Sequence, residues 1–380
     1  MFRIVVIWGG LLLCILSLQL GNGLQSTIVG LRTVAEGFSP FAIAAVMSSF
    51  YVGYAVGSLW APRMVPKVGH IRVIAGLAAL AGAAAAFYLV AVHWIVWAII
   101  RFFIGIALSG MYAAAEAWIN ARTGNAERGR VFAVYMLAQL GGLCGGQFLV
   151  PLADPMSVTL YALFTALFAL AAVPVALMPA AEASRDTPEP MGLRALFTAS
   201  PLGFAGCLVS GFIWAALMGG GPVFGGVAGL TEAQTSTFIA ALVVGGIAMQ
   251  FPLGWLSDHL DRRTVLLGIV ILAGAAALGG WLILAANPAL LLAFAVVFGG
   301  LSFPLYSVAV AHTNDHLRET ARIPASAGMV LLFGLGSIGG PAAVSAALDA
   351  AGPPGFFAIL AAANGFLALF CIYRMAVRRA

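Results

Sequence analysis

The chain has 380 residues, 62% of them hydrophobic and only 8% charged, with a mean hydropathy of +1.05. Soluble globular proteins are about 25% charged, so this composition excludes a soluble enzyme and places the chain in a bilayer. The net charge of +5 and pI of about 9.3 would suit a nucleic-acid binder, but the basic residues are scattered over short loops rather than gathered in a patch.

Apolar runs separated by short polar or Gly/Pro-containing stretches predict twelve spans in chain order: 4–29, 40–62, 71–92, 95–120, 131–152, 157–178, 202–226, 234–257, 264–286, 289–311, 324–348 and 355–376. Each is near the ~20 residues that cross the hydrocarbon layer. The first follows Met1-Phe2-Arg3 and is expected to stay in place, because its apolar run is too long for a signal peptide. Cys14, Cys144, Cys207 and Cys371 all fall inside apolar runs, so neither a disulfide framework nor a metal cluster is indicated.

Pro179–Pro201, containing Pro188-Glu189-Pro190, is the longest polar interruption. It predicts an N-terminal six-helix bundle over 1–178, a cytoplasmic linker over 179–201 and a C-terminal six-helix bundle over 202–380. Of the 18 Lys and Arg, sixteen fall on one face, from Arg3 through Arg63, Lys67, Arg72, Arg122, Arg185, Arg194, Arg318 and Arg322 to Arg374, Arg378 and Arg379. The other face has Arg32 alone, and Arg101 is intramembrane. The bias makes both termini cytoplasmic.

The loops after spans 2 and 8 stand in equivalent places of the two halves, which marks an internal repeat. Gly254-x-x-x-Asp258 followed by Arg262-Arg263 resembles the cytoplasmic loop motif of the major facilitator superfamily. Its first-half counterpart keeps only Lys67-x-Gly69 and Arg72, with Pro62 and Pro66 in place of Gly and Asp; Asp261 replaces a Gly in the second copy. Arg101-x-x-x-Gly105 is similar to that superfamily's fourth-helix motif. Glu116-x-Trp118, Arg128-Gly-Arg130 and Leu301-x-x-Pro304-Leu-Tyr306 resemble its YcaD-type branch. The resemblance covers essentially the whole chain. It implies an all-α fold of twelve transmembrane helices in two pseudo-symmetric bundles, with spans 1, 4, 7 and 10 lining a cavity.

Arg101 and Glu116 are the charged residues well inside a span, and holding them there costs several kcal/mol. Arg101, Gly105, Tyr112 and Glu116 fall within about 60° of one another on a helix, yet Arg101 and Glu116 are about 22 Å apart along its axis. They cannot pair. Arg101 is a candidate anchor for an anionic substrate group, or a brace between helices through carbonyls. Glu116 is a candidate proton-binding carboxylate, or a structural partner of Arg122 or Arg130. Span 1 adds the amides Gln19, Asn22 and Gln25, with Gln19, Asn22 and Ser26 on one face; such amides line water or glue helices. Gln139 and Gln147 on span 5, Tyr51 and Tyr54 on span 2, Gln250 on span 8 and Tyr306 on span 10 are further polar candidates, and Trp214 suits packing as well as stacking.

Spans 3, 6, 9 and 12 carry few polar groups, as lipid-facing helices would. Gly53-x-x-x-Gly57, Gly141-x-x-x-Gly145, Gly142-x-x-x-Gly146, Gly245-Gly246 and Gly336-x-x-x-Gly340 lie on spans 2, 5, 8 and 11 and mark close helix contact. The resemblance implies that these spans meet between the halves. Asp258, with Gly254, Arg262, Arg263, Arg128 and Arg130, is expected to form a conformational latch near the start of span 5.

The substrate-binding candidates are therefore Gln19, Asn22, Arg101, Tyr112, Gln139 and Tyr306, and Glu116 is the proton-coupling candidate. No cofactor is implied, and neither catalytic clusters nor a phosphate-binding loop is present. The expected protein is a monomeric inner-membrane carrier of a small anionic or amphiphilic solute, proton-coupled or passive. A non-transporting membrane sensor or assembly factor is the alternative from another class.

Overall fold

A computed structural model describes residues 2–123, 125–178, 191–284 and 288–377. The Pro188-Glu189-Pro190 stretch, Arg185, Arg378 and Arg379 lie outside the described residues, as do the side chains of Arg3, Arg128 and Arg322. The described residues are helical with no strand, and twelve helical stretches are long and apolar enough to span a membrane.

The first unit comprises residues 1–36 and 45–187. It holds α1 (Phe2–Ala35), most of α2 (Pro40–Val68), α3 (His70–Ala86), α4 (Trp94–Arg122), α5 (Asn125–Gln147) and α6 (Val158–Ala176). Short 3-10 turns follow α3 at Phe87–Leu89 and α5 at Val150–Leu152. Helix α1 packs on α5 and α6, and α3 packs on α4 and α6.

The second unit comprises residues 37–44 and 188–380. A short helix, α7 (Leu193–Ala199), occupies part of the stretch expected as linker. The rest is α8 (Pro201–Met218), α9 (Gly220–Val227), α10 (Glu232–His259), α11 (Arg262–Leu284), α12 (Pro288–Ser302), α13 (Pro304–Asn314), α14 (Glu319–Ala351) and α15 (Pro354–Val377). Here α8 packs on α14 and α13, α10 on α12, and α11 on α15.

Three expectations need correction. The stretch 62–72 is not a loop: α2 runs through Pro62 and Pro66 to Val68, and the chain turns only at Gly69, whose φ of 92° favours glycine. Spans 7 and 10 are each two helices. Pro304 lacks an N–H and clashes with the preceding turn, which separates α12 from α13, and Gly219 separates α8 from α9 just before Pro222.

The glycines of spans 2, 5, 8 and 11 also pack differently from expectation, making their close contacts inside their own unit. A methyl group at Gly53 would meet the Phe102 carbonyl, and one at Gly105 the Phe50 carbonyl, so α2 and α4 touch backbone to backbone. Gly142 and Gly146 press on Leu16–Leu24 of α1 in the same way, whereas Gly141 touches nothing. In the second unit Gly245 meets Val296, Gly299 meets Leu242, Gly336 meets Leu208 and Gly340 meets Phe212. The contact pairs α2–α4 and α1–α5 thus recur as α10–α12 and α14–α8, about half a chain later. The internal repeat is a repeat of contacts as well as of sequence.

Candidate functional site

Helix α4 begins with a side-chain cap: His93 accepts from the Ile95 N–H at 3.3 Å. Two turns in, Arg101 is 1% exposed. Because Gly105 has no side chain, the backbone of α2 comes against α4 at Phe50, and the Phe50 ring lies 4.9 Å from the Arg101 guanidinium carbon. The phenols of Tyr88 and Tyr51 are its polar neighbours. Among the described residues, Arg101 Nε and Nη1 have no hydrogen-bond partner. Such donors are costly to bury in a folded protein, the more so when charged.

Tyr88 ties this guanidinium to α1. Its hydroxyl accepts from Gln25 Nε2 at 2.9 Å, while Gln25 Oε1 is itself buried without a partner. The Tyr88 ring packs edge-on against Trp97, Tyr161 and Phe164 at 5.7 to 5.8 Å, which fixes its hydroxyl in place. Unmatched donors of Arg101 and an unmatched acceptor of Gln25 therefore flank one phenol. Sequence reasoning noted Gln25 as an amide at membrane depth, but missed Tyr88 and Phe50. A phenol closing the bland third span was the available signal for Tyr88; no signal marked Phe50.

Glu116 lies about four turns further along the same helix and has separate surroundings. Tyr135 O–H donates to Glu116 Oε1 at a long 3.4 Å, and Gln139 Nε2 donates to the Tyr135 hydroxyl at 2.6 Å. Tyr54 and Tyr112 complete the group, with ring centroids 6.5 Å apart, and the buried Tyr112 hydroxyl has no partner. Among the described residues no cation forms an ion pair with Glu116, and Arg122 instead lies over the Trp118 ring at 5.9 Å. The structure thus brings Tyr112, Glu116 and Gln139 together, and keeps Arg101 apart from them.

The remaining candidates divide. Asn22 Nδ2 donates to Gln19 Oε1 at 3.2 Å, a local pair on α1. Gln147 is helix glue: it donates to the Gly23 carbonyl and accepts from Thr27. Tyr306 belongs to the second unit, where its ring lies 5.1 Å from Phe333. Trp214 packs in the same unit, 4.6 Å from Phe303 and 6.3 Å from Phe333. Asp258 accepts from Arg262 at 3.1 Å, and Arg262 also pairs with Asp315 at 2.7 Å, so these three join the ends of α10, α11 and α13. Gly254 has no close neighbour, Arg130 is exposed, and the Arg128 side chain lies outside the described residues.

The sequence pattern described as Major Facilitator Superfamily matches residues 11–279 and again 227–380. The chain belongs to this superfamily. An MFS-type transporter of Yersinia pestis (strain Pestoides F) is 27% identical over 341 residues, covering 88% of this chain and 87% of the relative. The MFS-type transporter YcaD of Escherichia coli O139:H28 (strain E24377A / ETEC) is 26% identical over 346 residues, with 89% and 87% covered. Among solved structures, the nucleoside transporter NupG superposes with a TM-score of 0.78 at 15% identity, over 96% of this chain and 98% of that one. A bacterial homolog of the human lysosomal transporter Spinster, inward-facing and occupied, gives 0.73 at 14% identity, over 98% and 96%. The superfamily fold and a role in membrane transport follow, and the twelve apolar helices make the chain a multi-pass membrane protein.

Proposed function

We propose that this protein is a secondary carrier in the bacterial cytoplasmic membrane, with both termini cytoplasmic. It moves a small solute bearing an anionic group, exposing the site to each side in turn. Arg101 anchors the anion, and Glu116 takes and releases a proton. The observation that supports the reading best is the Arg101 guanidinium, 1% exposed among Phe50, Tyr51 and Tyr88 with two nitrogens unpartnered. An anionic oxygen would supply the missing acceptor, and a bidentate carboxylate or phosphate matches the guanidinium fork. The same solute could donate to Gln25 Oε1.

The proton role of Glu116 is supported by its place at membrane depth and by the lack of an ion-pair partner among the described residues. An unpaired carboxylate at membrane depth is relieved by taking up a proton. The basic-residue bias supports the topology.

Transport into proteoliposomes under an imposed pH gradient tests the reading. Solute flux should follow the gradient, be lost in Arg101→Ala, and continue down its own gradient in Glu116→Gln without responding to pH. Gradient-indifferent flux in the unmodified protein would leave a passive facilitator.

A further inference from the structure

The second unit has a small, half-open surface crevice lined by Ser200, Pro201, Leu202, Arg263, His312 and Arg374. None of its cationic residues takes part in the Arg101 or Glu116 groups, which belong to the first unit. We propose that it is a binding site for a phosphate group, supplied either by an anionic lipid headgroup or by free phosphate.

The packing that builds it is specific. Gly203 and Gly206 on the first turns of α8 lie against Thr313 and Ala309 of α13, where a β-carbon would collide. That contact seats His312 beside the N-terminus of α8. Cys371 donates to the Arg263 carbonyl at 3.6 Å, holding α15 to the start of α11, so Arg374 emerges one turn later beside Arg263. Four elements thereby converge on one small space.

The charged residues that line it, Arg263 and Arg374, are both cationic. Ser200 caps α8 by accepting from the Gly203 N–H at 3.2 Å, Pro201 has no N–H, and the Leu202 N–H is the first backbone donor left without a helical partner. The positive end of an 18-residue helix faces the crevice. Among the described residues, neither the Arg263 nor the Arg374 guanidinium has an ion-pair or hydrogen-bond partner. Of the nearby carboxylates, Asp315 is paired with Arg262 at 2.7 Å, while Asp261 accepts from the Thr264 hydroxyl at 3.1 Å and keeps its charge.

His312 points independently to a ligand. It is only 5% exposed, its imidazole has no hydrogen-bond partner among the described residues, and it lines the crevice with its ring against His316 at 4.6 Å. Two guanidinium groups, a backbone N–H and an imidazole around the mouth of one crevice suit a tetrahedral oxyanion with several acceptor oxygens. Exposed Phe366, Leu369, Ile372 and Tyr373 on α15 lead away from Arg374 along the surface, where acyl chains of a lipid would run. The topology proposed above puts the crevice at the cytoplasmic headgroup layer.

Two arms of one experiment identify the source. Native mass spectrometry of the detergent-purified full chain titrated with phosphatidylglycerol against phosphatidylcholine tests the lipid. Thermal unfolding in inorganic phosphate against chloride at equal ionic strength tests the free ion. Arg263→Gln/Arg374→Gln should weaken the responsive arm at least roughly tenfold, as expected for loss of charge-assisted contacts. Arg194→Gln, which removes an exposed charge of the same unit, should leave it unchanged. Arg374→Gln alone, at the half-buried end of α15, serves if the double variant does not fold. A response only to phosphatidylglycerol assigns a lipid site, and one only to phosphate assigns a solute site. No difference between the unmodified protein and these variants, or an equal loss in Arg194→Gln, overturns the proposal.

Discussion

A guanidinium buried beside a phenyl ring with two unpartnered nitrogens lowers the stability of the fold that holds it, by about 1–3 kcal/mol or more for a charged donor. Arg101→Met keeps the volume and removes the charge, so it should raise the melting temperature of the ligand-free protein while abolishing transport. A brace between helices would behave oppositely, and a lowered melting temperature would restore that role. Glu116→Gln should not lower the melting temperature, because an amide oxygen still accepts from Tyr135 and no ion pair is lost among the described residues. Both residues were legible in the sequence as charges at membrane depth, and helix geometry alone separated them. Their meetings were not: Phe50, Tyr51 and Tyr88 reach Arg101 from other segments, with Gln25 joined to Tyr88, and a linear sequence carries no trace of which segments meet.

Helix pairing here depends on glycines that admit a neighbour's backbone. Gly105→Ala and Gly53→Ala would force α2 and α4 apart, at a cost of about 1–3 kcal/mol typical of overpacking. Gly141→Ala meets open space and should be neutral or slightly stabilising, since alanine suits a helix better by about 1 kcal/mol. Thermal unfolding of the three variants in detergent checks the contrast, and equal losses in all three would remove the close-contact account. The periodic placement of these glycines was visible in the sequence, but their partners were misjudged. Spacing shows that a face is smooth, and only tertiary structure shows what lies on it. The breaks at Gly219 and Phe303 were missed for a related reason: hydropathy runs on unchanged through Pro222 and Pro304, although the hydrogen-bond ladder does not.

At the scale of the molecule, twelve spans and a half-chain repeat followed from hydropathy and loop positions, because a bilayer leaves few alternatives for an apolar chain. The latch expected at Asp258 is a proposal about the whole carrier. Asp258 holds Arg262, which also holds Asp315, so Asp258→Asn weakens a network at the ends of three helices. It should shift the labelling of introduced cysteines toward the inward-facing pattern, and an unchanged pattern would discard the latch.

The central claim is that Arg101 receives an anionic group of the solute. Thermal unfolding of the purified protein across paired solutes, each carboxylate- or phosphate-bearing compound beside its neutral counterpart, tests it most directly. A ligand at 100 times its Kd adds about 2.7 kcal/mol. At least one anionic solute should therefore raise the melting temperature of the unmodified protein, its neutral counterpart should not, and Arg101→Met should respond to neither. Equal stabilisation of the unmodified protein and Arg101→Met by the same anion would contradict the claim.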